Sequence, residues 1–187
     1  MQDPETTAGR VDGQRLFQHK FLDGQLDRVR YPNGTVGDQV LIHHPGASAV
    51  VPFVSDPCGA DPQLMLIHQY RYAVGGLLYE IPAGRLEANE APLTCAHREL
   101  LEETGCTAIS MEPLTAFWTT PGFTNERIHI FLASGLTRGA TKHEEDEFIE
   151  VVTRPLSAAL KMIEAGEITD AKTIIGILFA AGFRAGR

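Results

Sequence analysis

Across residues 16–44 apolar and polar positions alternate in short runs, and Tyr31-Pro32-Asn33-Gly34 interrupts them with the residues of a tight hairpin turn. That pattern predicts three short strands, a small sheet ahead of the main fold. Residues 47–54 and 64–70 are almost continuously apolar and read as buried strands, with a polar loop over 56–62 between them. Ile81-Pro82-Ala83-Gly84 then enters a loop. A helix follows, with Asn89 as its N-cap, Pro92 tolerated where first-turn amides are unpaired anyway, and Gly105 closing it in a left-handed conformation. Beyond it, residues 109–118 and 127–133 read as strands around Thr119-Thr120-Pro121-Gly122, and 150–153 as a further short strand. Residues 157–165 and 171–184 form two amphipathic helices broken at Gly166. Strands and helices mixed in this order predict an α+β or sandwich arrangement rather than a doubly wound sheet. The polar residues 1–12 are expected to form a disordered tail, 13–45 an N-terminal strand region and 46–187 the main domain.

The helix before Gly105 carries the chemistry. Glu99, Glu102 and Glu103 stand at i, i+3 and i+4, which places three carboxylates within about a third of the circumference. Leu93, Ala96, His97, Leu100 and Thr104 form the opposite stripe, suited to burial. Like charges this close repel unless a cation sits among them, and a hard divalent ion is the natural occupant, with Arg98 bracing the edge. A solvated acidic face is the competing explanation when the triplet is taken alone.

Composition narrows the class. The 187 residues are 43% apolar, enough for a real core, and 21% charged. A net charge of -8 argues against sequence-independent nucleic-acid binding, which needs a basic surface, but not against a nucleotide, because bound metal reverses the local sign. Cys58, Cys95 and Cys106 show no metal-ligand spacing, and three cysteines fit reduced thiols better than a disulfide framework. The longest apolar run, residues 174–183, is too short for a bilayer. With no basic-then-apolar leader at the N-terminus, the protein is expected to be cytoplasmic, without membrane or nucleic-acid partners.

Gly84, five residues, Glu90, seven residues, then Arg98-Glu99-Leu100-Leu101-Glu102-Glu103-Thr104-Gly105 resembles the Nudix box at every fixed position. Cys106 departs at one soft position, where a branched aliphatic residue is usual, a small change because a free Cys behaves as a small hydrophobe. The resemblance implies a Nudix α/β/α sandwich and hydrolysis of a nucleoside diphosphate linked to another group, with Mg²⁺ as cofactor (Mn²⁺ or another divalent cation being possible). It makes Glu99 and Glu103 the principal metal ligands, with Glu102 sharing the cluster, the Ala83 carbonyl completing the shell and Arg98 holding the carboxylates. An ordinary helix pair between Arg98 and Glu102 is compatible with that role. Glu90 is equally compatible with a surface position and a brace.

Further segments resemble the ADP-ribose pyrophosphatase branch of that family: His44-Pro45-Gly46-Ala47, Gln69-Tyr70-Arg71, Glu80-Ile81-Pro82-Ala83-Gly84, and Pro121, sixteen residues beyond Gly105. The resemblance places Arg71 and Glu80 among the substrate-binding residues, Arg71 because guanidinium matches phosphate geometry; its alternative is a surface salt bridge. The run Glu144-Glu145-Asp146-Glu147-Phe148-Ile149 resembles that branch's catalytic loop, with Glu145 at the general-base position (Glu144 the alternative register) and Glu147 near a further metal. The front sheet is expected to mediate a homodimer, since residues 16–44 have too little apolar content to fold alone. Phe21 would stack on the base or pack in the core, and Glu126 would reach across from the partner. The implied reaction is ADP-ribose to AMP and ribose 5-phosphate. A hydrolase of other nucleoside diphosphate sugars and a non-catalytic nucleotide sensor are the alternatives. The intact set of carboxylates disfavours the sensor.

Overall fold

The computed structural model describes residues 7–139 and 149–182, and these divide into two compact units. The first comprises residues up to Gly46 together with Trp118–Arg127. It is built on an antiparallel sheet of β1 (Gly9–His19), β2 (Leu22–Arg30) and β3 (Val36–His43) in that order. The β2–β3 turn is the one expected: the Gly34 amide donates to the Tyr31 carbonyl at 2.9 Å, and Gly34 takes a φ of 84°, which glycine adopts without strain. β1 begins earlier than the expected end of the tail. Gly9, Arg10 and Asp12 are paired in the ladder, and Arg10 reaches the nearly buried Asp27 at 2.8 Å, so charged side chains that look like tail composition are recruited as cross-strand partners. β1 is exposed along its whole length, with Leu16 and Phe17 among the exposed apolar side chains.

The second unit, Ala47–Phe117 with the chain from Ile128 onward, holds two sheets and the helices. One sheet orders β10 (Ile149–Pro155), β5 (Gln63–Arg71) and β6 (Gly76–Glu80). The other orders β7 (Ala83–Arg85), β4 (Ala47–Pro52), β9 (Arg127–Arg138) and β8 (Cys106–Trp118). Every residue of β4 is buried, because it lies between β7 and β9 and is covered on both faces. Ala49 and Val51 join the cluster that includes Ala159 and Met162 of α2 (Leu156–Glu164) and Ile177 of α3 (Ala171–Gly182). Val50 points the other way, into a cluster with Ala96 and Leu100 of α1 (Pro92–Thr104). Helices on both sides of the strands give the expected sandwich.

The sequence pattern misplaces several details. β7 begins inside the stretch read as entering a loop, and β6, on the other side of Pro82, is a short strand that the pattern does not assign. Asn89 is not the N-cap. Pro92 holds the preceding residue extended, so Ala91 takes the cap position (φ -74°, ψ 144°), and Asn89 adopts a left-handed turn conformation (φ 63°) upstream. Leu93 and His97 are exposed rather than buried. The buried stripe runs instead through Cys95, Ala96, Glu99, Leu100, Glu103 and Thr104, rotated toward β7. No helix among the described residues is long and apolar enough to cross a membrane.

Candidate active site

The box folds as strand, turn and helix, and its glutamates do not share one environment. Glu99 and Glu103, one turn apart on α1, are nearly buried at 8% and 3% exposure, whereas Glu102 remains half-exposed. What buries them is the backbone of β7. The Ala83 amide donates to Glu103 Oε2 at 2.8 Å. Gly84 lies directly against the Glu99 carboxylate, and a Cβ added at Gly84 would overlap it. At this position glycine is required for close approach, not for an unusual φ. α1 ends as expected, with Gly105 left-handed (φ 68°) and its amide donating to the Leu101 carbonyl at 2.9 Å.

Arg98 organises the outer side of the cluster. Its Nε and Nη2 donate to the two oxygens of Glu90 at 2.9 and 2.8 Å, its Nη1 to Glu99 at 2.5 Å and Glu102 at 3.0 Å, and Nη2 also to the Arg85 carbonyl at 3.0 Å. One guanidinium therefore fixes three carboxylates and the end of β7, a use of its planar fork that lysine cannot copy. Glu90, open between two readings in the sequence, is a brace: its side chain is 9% exposed and its Oε2 accepts the Glu87 amide at 2.9 Å. The Arg98 hydrogen bonds hold the Glu90 carboxyl down to about 2, against desolvation that pushes it up. Hydrogen bonding to Glu90 raises the Arg98 pKa further, so this charge is permanent. Burial, reinforced by Glu99, pushes the Cys95 thiol up to about 11; its Sγ donates to the Gly84 and Arg85 carbonyls at 3.5 Å, so it packs as a neutral thiol.

Among the described residues no group of three or more His, Cys, Asp or Glu side chains is arranged to hold a metal ion. Arg98 draws Glu99 and Glu102 to itself, and the atom of Ala83 that meets Glu103 is its amide. The donor chemistry nonetheless fits a hard divalent cation: two nearly buried carboxylates one helical turn apart, one of them drawn close to the backbone by a glycine with no side chain in its way.

A second charged cluster adjoins the first. Arg71, on β5, makes a bidentate pair with Glu80 on β6 at 2.7 and 2.8 Å. Glu80 is 1% exposed and its Oε2 also receives the Lys172 ammonium from α3. Burial pushes the Glu80 carboxyl up, but Arg71 and Lys172 together outweigh it and the net displacement is downward. Hydrogen bonding to Glu80 raises Arg71, and the charges of Glu103 and Asp170 add to the effect, which places Arg71 within electrostatic reach of the carboxylate site. Glu80, expected among the substrate-binding residues, lies buried beneath two cations, Arg71 and Lys172. Lys172, Asp170 and Thr173 were missed; the Asp170-x-x-Thr173 spacing of a capped helix start was the available signal.

In the first unit, Phe21 stands edge-on to His44 (centroids 5.3 Å apart, planes at 88°), and Glu126 lies 3.5 Å from His44 Nδ1 and accepts from Thr119 at 2.9 Å. Glu144, Glu145 and Glu147 lie outside the described residues.

The NUDIX domain model matches residues 43–174. The chain is 40% identical to an ADP-ribose pyrophosphatase of Bacillus subtilis, covering 89% of this chain and 88% of that protein. It is 36% identical to a methanol dehydrogenase activator of Bacillus methanolicus (90% of each) and 34% to a GDP-mannose pyrophosphatase of Yersinia enterocolitica (87% and 86%). A solved structure described as an ADP compounds hydrolase superposes with a TM-score of 0.81 over 96% of this chain and 95% of that one, at 18% identity, a likeness of fold. With the box assembled on β7 and α1 and relatives matching over most of their length, the chain belongs to the Nudix hydrolase family.

Proposed function

We propose that this hydrolase splits the pyrophosphate bond of ADP-ribose into AMP and ribose 5-phosphate, with Mg²⁺ as its working cation and Mn²⁺ as a substitute. Hydrolases of this family generally use divalent cations. The observation that carries the reading is the pair of nearly buried carboxylates, Glu99 and Glu103, set against the backbone of β7. They would hold the cation, with Glu102 at the rim. A cation bound there would neutralise charge on pyrophosphate oxygens and lower the pKa of a water molecule.

Arg98 keeps the carboxylates oriented through a charge that does not titrate. Arg71, 40% exposed and oriented by Glu80, offers a guanidinium to a substrate phosphate. Glu145 takes the proton of the attacking water as its oxygen adds to phosphorus and the bridging P–O bond breaks, and Glu147 serves a further cation. The exposed β1–β3 sheet joins two chains, bringing Phe21 to the nucleobase and Glu126 to the partner's site. The three free cysteines suit a cytoplasmic enzyme.

ADP-ribose is favoured by the name of the 40% identical relative, whereas the GDP-mannose pyrophosphatase at 34% supports other nucleoside diphosphate sugars as the second reading. A panel of such compounds, incubated with the protein and Mg²⁺ in ¹⁸O-labelled water, separates them. ADP-ribose should be consumed fastest and yield AMP and ribose 5-phosphate, one of the two carrying the ¹⁸O label. Faster turnover of GDP-mannose would move the assignment to the second reading.

A further inference from the structure

The four residues that lead into the carboxylate site are each held by a different partner, and helix α3 supplies two of the restraints. Glu80 receives Lys172 of α3 as well as Arg71. The Ile81 amide donates to Thr173 Oγ1 of α3 at 2.9 Å. The Pro82 carbonyl accepts from the Val50 amide at 2.8 Å, and the Ala83 amide donates to Glu103.

Thr173 is fully buried, and its hydroxyl has a fixed orientation. It donates to Asp170 Oδ2 at 2.6 Å, and the same oxygen caps the helix by accepting the Thr173 amide at 3.0 Å. With its proton committed to Asp170, the hydroxyl turns an acceptor lone pair to Ile81. The helix is also seated tightly here: a Cβ at Gly176 would come within 2.9 Å of Val51 and 3.0 Å of Ile81 side-chain atoms. Only Pro82 separates Ile81 from Ala83, and its ring fixes φ, so a shift at Ile81 passes to the Ala83 amide and from there to Glu103.

We propose that Thr173, oriented by Asp170, is a positioning residue for hydrolysis: it sets the Ile81–Pro82–Ala83 backbone so that Glu103 is presented for cation binding. The proposal rests on the cation-dependent reading above. Thr173→Val keeps the branched shape and removes the hydroxyl, leaving the buried Ile81 amide without this acceptor. Thr173→Ser restores it.

The test is Mn²⁺ binding to the substrate-free protein by electron paramagnetic resonance, with kcat and KM for ADP-ribose measured alongside. Thr173→Val should bind Mn²⁺ about tenfold more weakly and lose about ten- to a hundredfold in kcat with KM little changed, the range of outer-sphere substitutions. Thr173→Ser should restore both. Should Thr173→Val not fold, Asp170→Ala, which releases the hydroxyl from its acceptor, should weaken Mn²⁺ binding in the same direction. Wild-type Mn²⁺ affinity in the folded variants, or Thr173→Ser as impaired as Thr173→Val, would overturn the proposal while leaving the hydrolase reading intact. A wild-type protein that bound no Mn²⁺ would overturn the proposal together with the cation-dependent reading.

Discussion

No side chain separates Gly84 from the Glu99 carboxylate, and a methyl group at residue 84 would occupy the same space. Gly84→Ala must therefore displace either β7 or Glu99. Overpacking of this kind costs about 1–3 kcal/mol. If Glu99 holds the cation as proposed, its displacement by about 1 Å should cost about a hundredfold in rate. Chemical denaturation and turnover measured together check this: the variant should remain folded, less stable and nearly inactive. A stable variant with undiminished turnover would show that β7 does not constrain Glu99.

The Glu90–Arg98 pair gives the site a pH signature. The Glu90 carboxyl sits at about 2 in the folded protein, below its ordinary 4.5. A depressed acid stabilises the fold fully above its unfolded pKa, and the contribution is lost as pH falls from about 4.5 toward about 2. Glu90→Gln removes that titration. Urea midpoints across this range should fall more steeply for the wild type than for Glu90→Gln, and parallel curves would refute the coupling.

The proposed function gives Arg71 recognition and Glu80 support. Arg71→Ala should raise KM more than it lowers kcat. It should also cost about 1–3 kcal/mol, because the buried Glu80 loses one of its charged partners. Glu80→Gln keeps the guanidinium and loosens its orientation, so its KM should rise less. Steady-state kinetics decide it: an unchanged KM in Arg71→Ala would remove that residue from substrate contact.

Glu145 as base predicts that Glu145→Gln lowers kcat by about a hundredfold or more with a smaller effect on KM. Glu144→Gln should be mild. The reverse order of severity would shift the base by one residue.

The carboxylate helix was legible because helical spacing is local: Glu99 and Glu103 share a face whatever the rest of the chain does. Which face is buried was not local. The approach of β7 buries Glu99 and Glu103 and turns Leu93 and His97 outward, and nothing within the helix encodes that. The Arg71–Glu80 pair depended on β6, a strand too short and too mixed in composition to read. The Thr173–Ile81 hydrogen bond joins residues 92 apart in sequence, a relation fixed only by the packing of α3. Sandwich class was carried by the order of elements and by the almost continuously apolar stretch that became the fully buried β4.

The central claim, that Glu103 holds the cation that prepares a diphosphate for cleavage, is tested most directly by turnover of ADP-ribose with Mg²⁺ in wild type and Glu103→Gln. The wild type should release AMP and ribose 5-phosphate, and the variant, still folded, should be slower by more than about a hundredfold, beyond what outer-sphere changes reach. Equal rates in the two proteins would contradict the account.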